Sequence, residues 1–274
     1  MGVITGILGA INTRELIRDW SIAYKGNLAE YAASNTRAAK SALLGNKDWS
    51  GSFKGYGSLP EVMPGEAMSF AGTINTVKGA TGTAIIDSLE INCDIEGGKP
   101  IDYTASFSGN GALTLGVDTS TDVSLLLPTT AIGCKVELGT VVTTPVWTEL
   151  TDVRNWKLKF ATDNKEYASS STAGWKNRKK GQMKCDVSIS VYTDDYTTLP
   201  APGTITGVRL YDAAATFWLV NWIIWGEMTD IGASPEESGL VAATLNGQFR
   251  ALALVTATPT AGNITKPGGA AWTW

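Results

Sequence analysis

Sliding this sequence against itself by 136 positions lays residues 17–56 on residues 153–192 without a gap. Arg18 falls on Arg154, Trp20 on Trp156, Tyr31 on Tyr167, Gly45 on Gly181, Ser52 on Ser188 and Tyr56 on Tyr192. A self-match at one fixed period is the signature of a repeated structural unit. Trp, Tyr and Arg are uncommon residues, and here they all keep one register. Further along, the offset drifts to 138 and lays Pro64-Gly65 on Pro202-Gly203, Ala105 on Ala243 and Phe107 on Leu245, which reads as a two-residue loop insertion. The chain therefore reads as two tandem homologous domains, residues 1–128 and residues 129–274.

At 274 residues, each half is long enough to bury its own core. The charge argues about partners. Net charge is −4, and the half up to residue 136 holds 10 basic and 13 acidic residues against 12 and 13 in the remainder. Neither half carries the excess of Lys and Arg that tight phosphate binding requires. There is no histidine, which removes the commonest general base and the commonest metal ligand. Cys93, Cys134 and Cys185 are odd in number and widely spaced. They support neither a disulfide framework nor a zinc site, and a reducing cytosol suits them. The apolar run at residues 3–11 has no preceding positive charge, so no signal peptide is read. The most apolar window, residues 213–225, is too short for a membrane helix and reads as a strand buried on both faces.

The chain alternates with period two, the mark of half-buried strands. Trp156, Leu158 and Phe160 alternate with Asn155, Lys157 and Lys159, while Cys185, Val187, Ile189 and Val191 alternate with Asp186, Ser188 and Ser190. Leu89, Ile91 and Cys93 oppose Ser88, Glu90 and Asn92, and Tyr103, Ala105 and Phe107 oppose Thr104, Ser106 and Ser108. Antiparallel sheets with one wet face are built this way. The expected fold class is all-β: two β-sandwich or barrel-like domains of mostly antiparallel strands with few short helices. Residues 36–44 carry a propensity for two helical turns, whereas their counterpart, residues 173–180, is rich in Gly and Lys.

No catalytic constellation emerges. The acidic neighbours Asp87 and Glu90, and Asp194 and Asp195, stand beside no other catalytic signature and read as exposed carboxylates. The segment from Asp118 to Asp122 lacks the Gly and terminal Glu of a calcium loop. No catalytic, cofactor or metal site is expected. The sharpest charge feature is the basic loop of Trp175, Lys176, Arg178, Lys179, Lys180 and Lys184, which reads as a protein–protein contact facing acidic pairs such as Asp194-Asp195.

The succession Arg-Asp-Trp at 18–20, Tyr-Ala-Ala-Ser-Asn-Thr at 31–36, Gly-Asn-Lys-Asp-Trp-Ser-Gly-Ser-Phe at 45–53, a Pro-Gly turn, and Tyr-Thr-Ala-Ser-Phe-Ser-Gly-Asn-Gly-Ala-Leu at 103–113 resembles the tail tube proteins of long-tailed bacteriophages. The first half carries the resemblance over residues 18–115. The second half keeps Arg154, Trp156, Tyr167, Gly181 and Asn246-Gly247, but has Cys185-Asp186-Val187 where the first has Trp49-Ser50-Gly51. The usual family member has a single such domain.

The resemblance implies a structural, non-enzymatic virion protein whose sheets join those of its neighbours into one cylinder. Rings would stack into a tube for DNA ejection, assembled in the host cytoplasm and capped by other tail proteins. With the domain duplicated, three chains would fill six similar ring positions. Ser50, Ser52, Thr104, Ser106, Ser108, Ser188 and Ser190 are candidates for the lumen lining, since a face of Ser, Thr, Asp and Glu offers passing phosphates no counter-charge to displace. Trp175, Lys176, Arg178, Lys179, Lys180, Asp194 and Asp195, with Trp272 and Trp274 at the end of the chain, are candidates for contacts between subunits or rings. Two other classes fit the same features: a two-domain β-sandwich binding carbohydrate or a host surface, and another virion shell or adaptor component.

Overall fold

The computed structural model describes residues 5–7, 16–32, 40–57, 63–73, 78–118, 130–140, 146–193, 195–213, 217–233, 241–249 and 264–265. The first half contributes β1 (Thr5–Ile7), β2 (Leu16–Tyr31), β3 (Ser41–Tyr56), β4 (Ala67–Thr73), β5 (Lys78–Asp94) and β6 (Asp102–Asp118). The second contributes β7 (Val136–Gly139), β8 (Trp147–Leu150), β9 (Val153–Thr162), β10 (Lys165–Tyr167), β11 (Asn177–Lys179), β12 (Met183–Thr193), β13 (Ile205–Tyr211), β14 (Phe217–Ala233), β15 (Val241–Phe249) and β16 (Ile264–Thr265). The protein is all-β with antiparallel pairing between its named strands. Two single turns of 3-10 helix, Ser170–Thr172 and Tyr196–Thr198, are the only helical elements among the described residues.

The halves repeat one strand order. The first runs β2-β3-β6-β5-β4 and the second β9-β12-β15-β14-β13, all within a single 14-stranded sheet. The register repeats as well. Trp20 opposes Phe53 and Ser21 opposes Ser52 in the first half, while Trp156 opposes Ile189 and Lys157 opposes Ser188 in the second. Both ladders sit at the offset of 136. The boundary expected near residue 128 falls outside the described residues.

Two expectations require correction. Residues 41–44 do not form a helix: they are strand, with Leu44 opposite Leu28 and Leu43 opposite Ala29, because the pairing partner outweighs the weak local propensity. The second correction is to the register. Ala105 lies opposite Phe53 and its ladder counterpart Leu245 lies opposite Ile189, so β6 and β15 correspond at an offset of 140 rather than 138. A slip of two residues keeps every side chain on its own face, which is why the alternation could not reveal it.

The sheet curls over its own apolar face. Trp20 on β2 meets Phe70 on β4 at 5.3 Å between ring centroids, although three strands separate them in sheet order. In the second half Phe160 on β9 meets Trp218 on β14 at 5.6 Å. Trp49, Trp156, Trp218 and Trp225 are fully buried. Two of them satisfy their indole N–H by donating to Gly111 O and to Thr206 Oγ1, both at 2.9 Å. The buried apolar side chains of both halves form one connected core.

Candidate functional site

The halves are joined edge to edge. Residues 88–94 of β5 pair with residues 155–161 of β9 in an unbroken antiparallel ladder, from Ser88 opposite Ala161 to Asp94 opposite Asn155. At its end the N–H groups of Ile95 and Glu96 both donate to Arg154 O at 2.9 Å. The Arg154 guanidinium lies over the Tyr192 ring at 4.4 Å and pairs with Glu96 at 2.7 Å, and the Tyr192 hydroxyl donates to the same carboxylate. Hydrogen bonds from Arg154 and then Tyr192 hold the Glu96 carboxyl below its ordinary range. In the first half Arg18 repeats the stack, lying over Tyr56 at 5.7 Å.

A hairpin arm straps the junction. β10 and β11 form a two-stranded ribbon that leaves the large sheet, with Glu166 opposite Arg178. This ribbon seats on the first half. Arg178 makes a two-pronged pair with Asp48, at 2.9 Å for each prong, and also donates to Gly109 O. Its backbone N–H donates to Asn110 Oδ1 at 2.7 Å. Lys47 N donates to Gly174 O, Lys176 N to Lys47 O, and Gly111 N to Lys176 O. Trp175 stacks on Tyr24 at 5.7 Å, and the Lys47 ammonium lies over the Trp175 ring. The basic loop is thus engaged inside the chain: the Arg178 side chain is only 7% exposed. Lys176 pairs with Glu166, and Lys179 lies over Tyr167.

Two long strands keep an edge with no strand partner among the described residues. β2 ends the sheet and pairs only with β3. β14 pairs with β13 no further than Ile224, so beyond Trp225 the edge opposite β15 is open. These edges are the internal counterparts of the two that meet at the junction. β2 corresponds to β9 at the offset of 136, and Met228, opposite Leu245, occupies the ladder position of Leu89, opposite Ala105.

The face away from the core is polar, and the serine candidates lie on it. Ser50, Ser52, Thr104, Ser106, Ser108, Ser188 and Ser190 are all half-buried. They bond across strands: Ser21 with Ser52 at 3.2 Å, Ser88 with Ser106 at 2.6 Å, Ser108 with Asp87 at 2.5 Å, Ser188 with Asn246 at 2.9 Å and Ser190 with Thr244 at 3.0 Å. The expectation of a face without counter-charge needs correcting, because Lys54, Lys157, Lys159 and Lys184 share it. One row of cross-strand neighbours reads Asp19, Lys54, Thr104, Glu90, Lys159, Asp186 and Gln248. Opposite charges meet along this row. Glu90 holds Lys157 at 3.0 Å and Lys159 at 3.8 Å, and Asp186 holds Lys184 at 3.0 Å. A cleft of about 510 Å³ opens on this face between Lys157, Lys184, Glu227 and Gln248.

Asp195 accepts from the N–H and hydroxyl of Thr197 and so shapes its own turn. Asp194, Trp272 and Trp274 lie outside the described residues. Among the described residues no cluster of acidic or thiol side chains is placed to hold a metal ion. The three cysteines are buried, and burial pushes the Cys185 thiol up. Sequence reasoning missed Asp48, Asn110 and Glu96, and it read Glu90 as an exposed carboxylate where the structure has it half-buried and paired with Lys157. Their partners lie between 58 and 130 residues away in the chain, or on a strand of the other half; Arg18-Tyr56 and Arg154-Tyr192, repeated at one offset, were the available signal. Comparison with models of known families and with curated proteins finds no match to this chain.

Proposed function

We propose that this protein is the structural subunit of a bacteriophage tail tube, closing into rings through the long edges that β2 and β14 leave without a strand partner among the described residues. The observation that carries the reading is the β5–β9 junction. One chain already joins two copies of its repeat edge to edge, and the same two edges recur at β2 and β14 with no strand partner among the described residues. An open edge of this length is a template for another strand. The edges at the two ends of the chain differ from one another, so their pairing is head to tail, the type of contact that generates a ring when the rotation closes. Repeating the internal register sets Met228 of one copy opposite Tyr24 of the next, as Leu89 stands opposite Phe160.

Six repeat positions in a ring, the number that the tail-tube resemblance implies, require three chains. The polar face then lines the lumen. Lys157, Lys159 and Lys184 are held by neighbouring carboxylates, so a passing duplex has few counterions to release and little to hold it. Four tryptophans are committed to the core, which disfavours a carbohydrate-stacking module. The remaining partners are other tail proteins at the tube ends, and the site of action is the virion.

Electron microscopy of the purified protein tests this. Rings or tubes with three chains in each layer are expected. Six chains per layer, with the second half standing outside the wall, would overturn the ring argument and spare the tube. Protein that stays monomeric at every concentration would overturn both.

A further inference from the structure

The strap on the internal junction has an unseated twin. The distal part of the β2–β3 hairpin repeats the β10–β11 ribbon in the same register: Ala29 opposes Leu43, Glu30 opposes Ala42 and Tyr31 opposes Ser41, as Lys165 opposes Lys179, Glu166 opposes Arg178 and Tyr167 opposes Asn177. The ribbon of the second half seats on the first half, whereas the hairpin of the first half carries leucines left exposed among the described residues. Leu28 is 69% exposed, and Leu43 and Leu44 are each 61% exposed. Leu28 and Leu44 stand opposite one another and so share one face of the hairpin, an apolar pair that a solvated arm does not need.

The seat is repeated as well. In the first half the Pro64-Gly65 turn has Gly65 at φ +82, its N–H donating to Ile86 O at 2.8 Å. In the second, Gly203 has φ +89, and its N–H donates to Trp225 O at 2.7 Å. The stem of Lys180 covers the first turn so closely that a Cβ on Gly65 would lie 2.6 Å from its Cγ, whereas a Cβ on Gly203 would meet no atom of the described residues within 4 Å. Leu44 corresponds to Lys180 at the offset of 136, and Gly203 to Gly65. The ion pair that anchors the internal strap is missing from both sides together: Ala42 stands for Arg178, and Lys184 for Asp48. Neither surface is therefore left holding a buried charge without its partner.

We infer that the β2–β3 hairpin of one copy straps the second half of the next copy, with Leu44 and its cross-strand partner Leu28 covering the Pro202-Gly203 turn. This inference rests on the ring reading and names its second contact. The β2 edge and the hairpin leave the same side of the chain, so both reach the copy whose β14 edge pairs with β2. Where the internal strap is held by charge and stacking, the strap between chains is held by apolar side chains. It tolerates salt and adds no charge to the interface.

The three native cysteines are buried, so a Leu44→Cys variant accepts a benzophenone maleimide at one site. Light-driven crosslinking of assembled protein, made from a mixture of isotope-labelled and unlabelled chains, is expected to yield adducts at residues 202–204 of a different chain. In parallel, the Leu28→Glu/Leu44→Glu double variant is expected to keep the monomer fold by circular dichroism, since both positions are exposed, and to need at least tenfold more protein to assemble. Assembled rings whose adducts fall elsewhere, or a double variant that assembles like its parent, would overturn the strap and leave ring closure intact. A parent protein that never assembles would overturn the ring reading and the strap with it.

Discussion

Gly51 and Val187 occupy the same position in the two repeats, and so do Phe107 and Gly247, which oppose them on the neighbouring strand. In the first half the small residue is on β3 and the large one on β6; in the second the order is reversed. A Cβ at Gly51 would lie 2.5 Å from the Phe107 ring, and one at Gly247 would lie 2.4 Å from Ile223 Cγ2. Interiors are packed densely, and each glycine leaves room for a large neighbour, Gly51 for Phe107 and Gly247 for Ile223 and Trp225. Arg178 and Asp48 present the opposite case, a pair with no counterpart in the other repeat. Both side chains are nearly buried, at 7% and 11% exposure, and removing one partner leaves the other only a longer ion pair, Asp48 with Lys176 at 3.9 Å or Arg178 with Glu166 at 3.5 Å. Arg178→Ala is expected to lower stability by about 3 kcal/mol, with Arg178→Ala/Asp48→Asn costing clearly less than the two single changes added together. Urea denaturation of the four proteins in this cycle checks it.

At the scale of elements, the β5–β9 junction is closed at its end by carboxylates whose ionisation is favoured by the fold. Arg154 and Tyr192 lower the pKa of Glu96; Lys99 and then the Gly97 N–H lower that of Asp94. A folded-state pKa below the unfolded value contributes stability that is present above the ordinary carboxylate range and lost as pH falls through the folded value. Both groups are exposed, so solvent keeps the effect small. The stability difference between the parent and Glu96→Gln is therefore expected at neutral pH and should close as pH falls below about 4. Denaturant midpoints across that window measure it, and a difference that persists in acid would assign the effect to lost packing. The junction also explains the great length of β5. Its first part pairs with β4 and its last part with β9, along one edge, so a single strand belongs to the curled core and to the contact between halves.

For the whole molecule, the alternation of charge along the polar face gives the lumen reading a testable consequence. Glu90 neutralises two lysines contributed by the other half. Glu90→Gln is expected to leave assembly intact and to create retention of duplex DNA at low salt, weakening steeply as salt rises because lysine–phosphate contacts release counterions. Filter retention of DNA by assembled parent and variant protein checks it; equal retention would place this face away from the passage. The sequence by itself determined the all-β class, the repeat, the polar and apolar faces of Val187, Ser188 and Ile189, and the Pro-Gly turns, because each depends on neighbours a few residues apart or on one constant offset. It also supplied Arg154 and Tyr192 as a repeated pair without saying what they hold. Only the tertiary structure decided that β5 receives β9, that Arg178 closes on Asp48, and that β2 and β14 keep edges with no strand partner among the described residues. A strand's alternation records which side faces the core but carries no label for its partner. The partner follows from how the sheet curls over the whole core, and that curl depends on contacts such as Trp20 on Phe70, between residues 50 positions apart in the sequence.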